Sequence, residues 1–298
     1  MHNMVLKKNM RKGILLLGGS GTRFLPATSI INKHLIPIID RPMFHYSLST
    51  LMLSGINIIN MVSDENTLSL IEKSMGNGNQ FGLDLSYTIQ KKAAGIPEGI
   101  MLNKKFIGKS NFALMLGDNF FYSSDLSKKL EIINKSKKNT VVTYRLTNPS
   151  AFGVLLKKNG RIQKIIEKPK KFISDIVVTG LYFYQNEVLN LLSKLKPSSR
   201  GELEISDFNN LIINKKKLED YELGRGSVWL DSGTPENHLK TSEFVRIIEE
   251  RTGKKIGLLE EVSYQKNMIN KKKLKNLIKT TSNSQSNISY IKKIINEK

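Results

Sequence analysis

The chain has 298 residues, 39% of them hydrophobic, a formal net charge of +21 and no cysteine. This length accommodates one large α/β domain, alone or with a small appendage. The lack of cysteine excludes disulfides, thiolate nucleophiles and Cys–zinc sites, and no run of about eighteen apolar residues marks a transmembrane helix. Met1–Met10 has no apolar stretch ending in a small-residue cleavage site, so it does not read as a signal peptide. A cytoplasmic protein without a membrane partner is the expectation. The basic charge raises nucleic-acid binding as a function. The excess, however, is mostly lysine spread along the chain, densest in 251–298 with twelve Lys/Arg against three Glu. No zinc knuckle, helix-turn-helix or aromatic RNA-binding signature accompanies it. It reads as a solvated lysine surface with no nucleic-acid partner, one that favours anionic substrates such as nucleotides.

Lys12–Leu17, a short apolar run beside glycines, predicts a buried strand. Further strands are expected at Asn57–Ser63, Leu85–Gln90, Asn111–Gly117 and Thr140–Arg145, with helices between them at Arg41–Leu53 and Asn66–Met75. Pro42 suits the first turn of its helix and Gly55 the end. Such alternation implies βαβ units. The expected fold class is α/β, a Rossmann-like mixed, mainly parallel sheet flanked by helices. After about Ala151 strands follow closely at Phe152–Lys157, Arg161–Glu167 and Asp175–Tyr184, with Asn159-Gly160 as a hairpin turn. Helices are expected at Glu187–Lys194 and Leu203–Lys215. From about Ser242 the chain reads as helical and then basic, and polar Thr280–Ser289 reads as a loop.

The segment Gly18-Gly19-Ser20-Gly21-Thr22-Arg23 follows the first strand. Glycines there let backbone N–H groups approach phosphate oxygens without a Cβ clash, although a plain turn has the same spelling. Walker A spacing fails at Thr22-Arg23, and Rossmann spacing would need glycine where Phe24 stands. Arg23 and Lys33 are cations able to reach a polyphosphate held on that loop. Phosphoryl and nucleotidyl transfers need positioning and charge neutralisation more than a covalent nucleophile.

These residues, with Asn32-Lys33-His34-Leu35 and Pro37-Ile38-Ile39-Asp40-Arg41-Pro42-Met43, resemble the signature of the sugar nucleotidyltransferases. The likeness is greatest to glucose-1-phosphate thymidylyltransferases and runs from about Lys12 to about Lys275. It implies transfer of a thymidylyl group from dTTP to glucose 1-phosphate, giving dTDP-glucose and pyrophosphate for deoxysugar (dTDP-rhamnose) and surface-polysaccharide precursors. On that reading residues 1–11 are an N-terminal extension, 12–241 the nucleotidyltransferase domain with its sugar-binding part, and 242–298 a helical, basic segment. The C-terminal region resembles longer, homotetrameric members.

Asp118, after an apolar strand, and Asp231, after the chain's only tryptophan, are each compatible with a simple turn or cap. As a pair they suit Mg²⁺, which demands oxygen ligands. The resemblance implies that they meet and hold Mg²⁺, with Arg23 and Lys33 catalytic. It also implies a nucleotide site of Gly18, Gly19, Ser20, Gly21, Thr22 and Asp118, with Gln90 and Gly95 at the base. Gly153, Glu167, Lys168, Val178, Thr179, Gly180 and Arg200 would form the sugar-phosphate site. Glu167-Lys168-Pro169 is also a common surface turn, and Arg200 could equally pair with Glu202 or Glu204. His34 reads as a polar or structural residue rather than a proton carrier.

Four departures from the family pattern stand out. Leu17 replaces an alanine and is expected to add bulk beside the nucleotide. Phe152 replaces a tyrosine near the sugar. Tyr122-Ser123-Ser124-Asp125 and Gln265 fall where the family binds a feedback nucleotide sugar, so the resemblance carries catalysis further than regulation. Alternative readings are a uridylyltransferase or other sugar-1-phosphate nucleotidyltransferase, a non-catalytic nucleotide-sugar-binding regulator, and a nucleic-acid binder using the basic tail.

Overall fold

Strand β1 (Lys12–Leu16) has every residue but Lys12 buried. Ile14 and Leu16 face one hydrophobic core, and Leu15, with Leu17 just beyond the strand, faces the other. A strand buried on both faces must lie in the middle of a helix-covered sheet. The computed structural model, described for residues 11–19, 21–92, 94–280 and 284–297, places it there. β1 pairs in parallel with β4 (Ile58–Ser63) on one side and β6 (Phe112–Leu116) on the other. β5 (Asp84–Ile89) extends the parallel half beyond β4. The expected strands all form, within a residue or two of their predicted ends.

Beyond β6 the sheet turns antiparallel. β11 (Ile176–Tyr184) runs against β6, and β9 (Gly153–Lys158) and β10 (Arg161–Glu167) form the hairpin at the sheet's end. Asn159 and Gly160 both have positive φ, 51° and 72°, as a two-residue hairpin turn of the twist-matching type requires. β8 (Asn139–Arg145) also pairs with β11, and β12 (Leu218–Glu222) lies in parallel beside β8. The chain after β1 moves to β4 and β5, then returns to β6 on β1's opposite side. The carboxyl ends of β1 and β6 thus border a topological switch point, where open α/β sheets bind ligands.

Two short ribbons lie outside this sheet. β2 (Pro37–Ile38) pairs with β3 (Arg41–Pro42), and β7 (Asn119–Tyr122) with β13 (Val228–Asp231). The first corrects the expected helix start. Arg41 pairs with Ile38 across the hairpin, so helix α1 (Met43–Leu53) begins after Pro42 instead of including it. Helix α2 (Glu65–Met75) is capped by Asp64, which accepts from the Thr67 amide at 2.9 Å.

Helices α3 (Ile96–Leu102), α4 (Lys104–Ile107) and α5 (Leu126–Lys135) add to the expected set. Asn186–Lys194 is a 3₁₀ helix, and α6 is the shorter Ile205–Ile213. α7 (Pro235–Thr252) starts earlier than Ser242, on the Thr234 side-chain cap with Pro235 in the first turn, and runs unbroken past residue 241. α8 (Leu259–Gln265), α9 (Lys271–Thr280) and α10 (Gln285–Glu297) follow. Their apolar residues Leu259, Val262, Leu274, Leu277, Ile291 and Ile295 join the same core as Leu15. The expected loop at Thr280–Ser289 is therefore corrected at Gln285–Ser289, which is helical because Ile291 and Ile295 anchor the following turns. Residues 281–283 lie outside the described residues. Among the described residues no helix is long and apolar enough to cross a membrane.

Candidate functional site

A cavity of about 560 Å³ opens over the carboxyl ends of β1 and β6, and one of about 240 Å³ adjoins it over β9 to β11. They share Arg23, Asp118, Glu167 and Lys168 in their walls, so they form one cleft. Gly18, Gly19, Gly21, Thr22, Lys33, Gln90, Gly95 and Arg200 line the first part. Gly153, Val178, Thr179, Gly180 and Asp231 line the second. Ser20 lies outside the described residues; every other predicted site residue borders this cleft.

The two carboxylates meet through tertiary pairing. β13 lies against β7 with Asp231 opposite Asn119, and the Ser232 amide donates to the Asp118 carbonyl at 2.8 Å. A β-carbon placed on Gly233 would stand 2.9 Å from Asp231 Oδ1, 3.2 Å from Asp118 Oδ2 and 3.3 Å from Arg23 Nη2. Three charged groups thus surround one point that glycine leaves open. Lys33 Nζ, from the 3₁₀ turn Lys33–Leu35, pairs with Asp118 Oδ2 at 2.5 Å.

This arrangement splits the two acids. Burial favours the neutral form of Asp118, but the Lys33 ammonium outweighs it and holds Asp118 well below the usual carboxylate range. Burial and the negative charge of Asp118 push Asp231 up to about 6, against weaker opposition from Lys33 and Arg23. Lys33 and Arg23 stabilise the Asp231 carboxylate only in part, so a cation bound beside it would favour its ionised form. Among the described residues no group of three or more His, Cys, Asp or Glu could hold a metal. A hard cation here would therefore take two protein carboxylates and complete its shell with phosphate or water oxygens.

Asn119 escaped the sequence reading, although it directly follows Asp118. Its Oδ1 accepts from the Gly180 amide at 2.9 Å and from Trp229 Nε1 at 2.7 Å, and its Nδ2 donates to Asp118 Oδ1 at 3.0 Å. Glycine at 180 is required, since a β-carbon would lie 2.5 Å from Asn119 Cγ. Buried Ser47 on α1 also hydrogen-bonds the carbonyls of Gly117 at 2.8 Å and Asn119 at 3.1 Å. No local pattern marks a serine inside a buried helix for that task.

On the opposite wall, Lys168 has a left-handed φ of 44° and precedes Pro169; its amide donates to the Phe152 carbonyl at 3.0 Å. Strained backbone of this kind concentrates at ligand sites. Glu167 accepts a short hydrogen bond from Ser206. Arg200 lines the cleft and grips Glu204 bidentately at 2.7 and 3.1 Å, which is one of the two pairings expected of it. The Thr179 hydroxyl is already donated to the Val142 carbonyl at 2.9 Å, so this residue shapes the wall without a free donor.

Leu17 requires a correction. Its side chain is fully buried, facing the Leu15 core; a β-carbon on Gly117 would touch it at 2.4 Å. The extra bulk is absorbed beneath Gly117 and His34, and Leu17 is absent from both parts of the cleft wall. His34 is buried with Nδ1 at 2.8 Å from Asn32 Oδ1. Burial, then Lys33, lowers its pKa to about 3, so it is neutral and weakly basic near pH 7. Phe152 packs edge-on against Trp229 at 5.0 Å.

A model of the Nucleotidyl transferase family matches residues 12–247. A glucose-1-phosphate thymidylyltransferase of Neisseria meningitidis is 38% identical over 276 residues, covering 92% of this chain and 96% of that protein. The chain belongs to the nucleotidyl transferase family, among the glucose-1-phosphate thymidylyltransferases. A relative of the same name from Mycolicibacterium smegmatis is 38% identical over 259 residues, 87% of this chain and 90% of that one. A crystal structure from Bacillus anthracis, assigned as a glucose-1-phosphate thymidylyltransferase and containing sucrose, superposes with TM-score 0.72 at 33% identity. It covers 79% of this chain and 95% of its own. A UDP-glucose pyrophosphorylase bound to UDP-glucose reaches TM-score 0.70 at 25% identity, over 80% of this chain and 99% of its own.

Proposed function

We propose that this chain transfers a thymidylyl group from dTTP to glucose 1-phosphate, releasing pyrophosphate and forming dTDP-glucose. The observation that carries this is the convergence of Arg23, Lys33, Asp118 and Asp231 at the switch point of a family member's sheet. A phosphate oxygen of glucose 1-phosphate forms a bond to the α-phosphorus of dTTP as the bond to the β-phosphate oxygen breaks, and the electron pair leaves with pyrophosphate. The Gly18–Thr22 loop cradles the triphosphate, while Arg23 neutralises charge developing on the leaving group. Lys33 exchanges its contact with Asp118 for the reacting phosphates. The sugar phosphate is already ionised, so no general base is needed, in keeping with a neutral His34.

Asp118 and Asp231 hold Mg²⁺, which supplies charge neutralisation at the phosphates when bound. Gln90 and Gly95 meet the base. Gly153, Glu167, Lys168, Val178, Thr179, Gly180 and Arg200 enclose the sugar phosphate, with Glu167 accepting hydroxyls and Lys168 and Arg200 holding phosphate. Resemblance of the C-terminal helices to longer relatives supports a homotetramer, and the reaction's place in dTDP-sugar supply supports a cytoplasmic enzyme. The test is pyrophosphate release with glucose 1-phosphate, Mg²⁺ and each of dTTP, UTP, ATP and GTP. Fastest turnover with dTTP is expected. Preference for UTP would make the chain a uridylyltransferase, and no release with any triphosphate would sink the enzymatic reading.

A further inference from the structure

Glu98 lies on α3, outside the cleft wall, and is half-buried. Its Oε2 accepts from the Gln90 side-chain amide nitrogen at 2.6 Å and from the Ala94 backbone amide at 3.2 Å. A carboxylate can only accept hydrogen bonds, so the Gln90 face turned toward it must be the NH₂ end. The opposite end of the same amide is thereby committed. Gln90 Oε1 points at Gly18, 2.8 Å from where a β-carbon on that residue would stand, and both residues line the cleft. Glycine at 18 thus keeps a fixed acceptor exposed to the nucleotide wall.

We propose that Glu98 is a positioning residue that selects the class of nucleobase by locking Gln90 as a hydrogen-bond acceptor. A fixed carbonyl oxygen suits a base that presents a ring N–H, the imide edge of thymine or uracil. It opposes the ring nitrogen acceptor of cytosine, which would face lone pair to lone pair. An unlocked glutamine would serve both, because its amide can turn over by a half rotation. Discrimination of this kind comes from leaving a polar group of the wrong base unpaired. The role rests on Gln90 meeting the base, as set out above, and adds the residue that decides which way its amide faces.

The experiment compares kcat/KM for dTTP and dCTP, with glucose 1-phosphate and Mg²⁺, in the wild type, Glu98→Gln, Glu98→Ala and Gln90→Ala, each checked for an unchanged melting temperature. Glu98→Gln keeps the shape and lets the pair bond in either orientation. It and Glu98→Ala should lower the dTTP-to-dCTP ratio by about 10-fold, mainly through a higher KM for dTTP. Gln90→Ala should lower the ratio at least as far. If both Glu98 variants keep the wild-type ratio while Gln90→Ala loses it, Gln90 reads the base unaided and Glu98 has no such role. If Gln90→Ala also keeps the ratio, the base assignment itself fails and the role of Glu98 falls with it.

Discussion

Two of the charged clusters among the described residues are built on opposite plans. At the Asp118–Asp231 end of the cleft, Lys33 and Asp118 form a close pair, while among the described residues Arg23 has no ion pair and the Asp231 side chain accepts from the Gly233 amide at 3.1 Å. The second cluster surrounds Arg41, whose side chain is 4% exposed. Asp40 pairs with it at 2.7 Å and Glu249 at 3.3 Å, Lys255 closes on Glu249 at 2.8 Å, and the Ile256 carbonyl accepts a further bond. Asn287 on α10 reaches Asp40 at 3.2 Å, and Tyr290 reaches both oxygens of Glu261 at 3.0 Å. Charges matched within the chain act as staples, here tying the C-terminal helices to the β2–β3 hairpin. Charges left partly unmatched in an open cleft are a binding site waiting for ions of the missing sign.

The contrast is testable because the two clusters should fail differently. Lys33→Ala or Arg23→Ala should lower kcat for pyrophosphate release by about 10²–10³-fold. Arg23→Ala, which breaks no ion pair among the described residues, should leave the melting temperature little changed, whereas Lys33→Ala also strands buried Asp118 and lowers it. Steady-state kinetics with dTTP and glucose 1-phosphate measures this; Lys33→Ala with unchanged kcat would remove the catalytic assignment. Glu249→Ala should do the reverse. It strands Arg41 and Lys255 without their shared partner and should cost about 3 kcal/mol in urea unfolding, with kcat per folded molecule retained.

The smallest effect concerns Glu261, which burial raises from 4.5 to about 7. A carboxyl that holds its proton more tightly when folded contributes stability fully below pH 4.5 and loses it as pH rises through 7. Glu261→Gln keeps an acceptor for Tyr290 and removes that titration. The variant should gain on the order of 2 kcal/mol over the wild type at pH 8 and nothing at pH 4, read from denaturant midpoints across pH. An equal difference at both pH values would show that packing, and not charge, sets the effect.

Much of this molecule is legible residue by residue. The doubly buried β1, the glycine loop after it, the Asn159-Gly160 turn and the order of strands follow from local rules: apolar runs make buried strands, and positive φ selects Asn and Gly. The cations Arg23 and Lys33 were visible because they stand close in sequence to that loop. The Thr234-Pro235 start of α7 follows the same local rules, a threonine cap with proline in the first turn.

What only the tertiary structure decided are relations between distant segments and the direction in which side chains point. Asp231 stands beside Asp118 because β13 takes its register on β7, a pairing set by how Trp229 and Phe121 bury in the shared core. Leu17 turns inward, not toward the nucleotide, because Gly117 leaves it room. Arg200 is held by Glu204, and Gln90 is oriented by Glu98, through hydrogen bonds whose geometry no spacing rule encodes. Gln285–Ser289 is helical for the same reason: polar composition set no local preference there, and docking of the adjacent Ile291 and Ile295 into the core decided it. The sequence by itself determined which chemical groups and elements exist; packing free energy, spread over contacts far apart in the chain, determined which of them face one another.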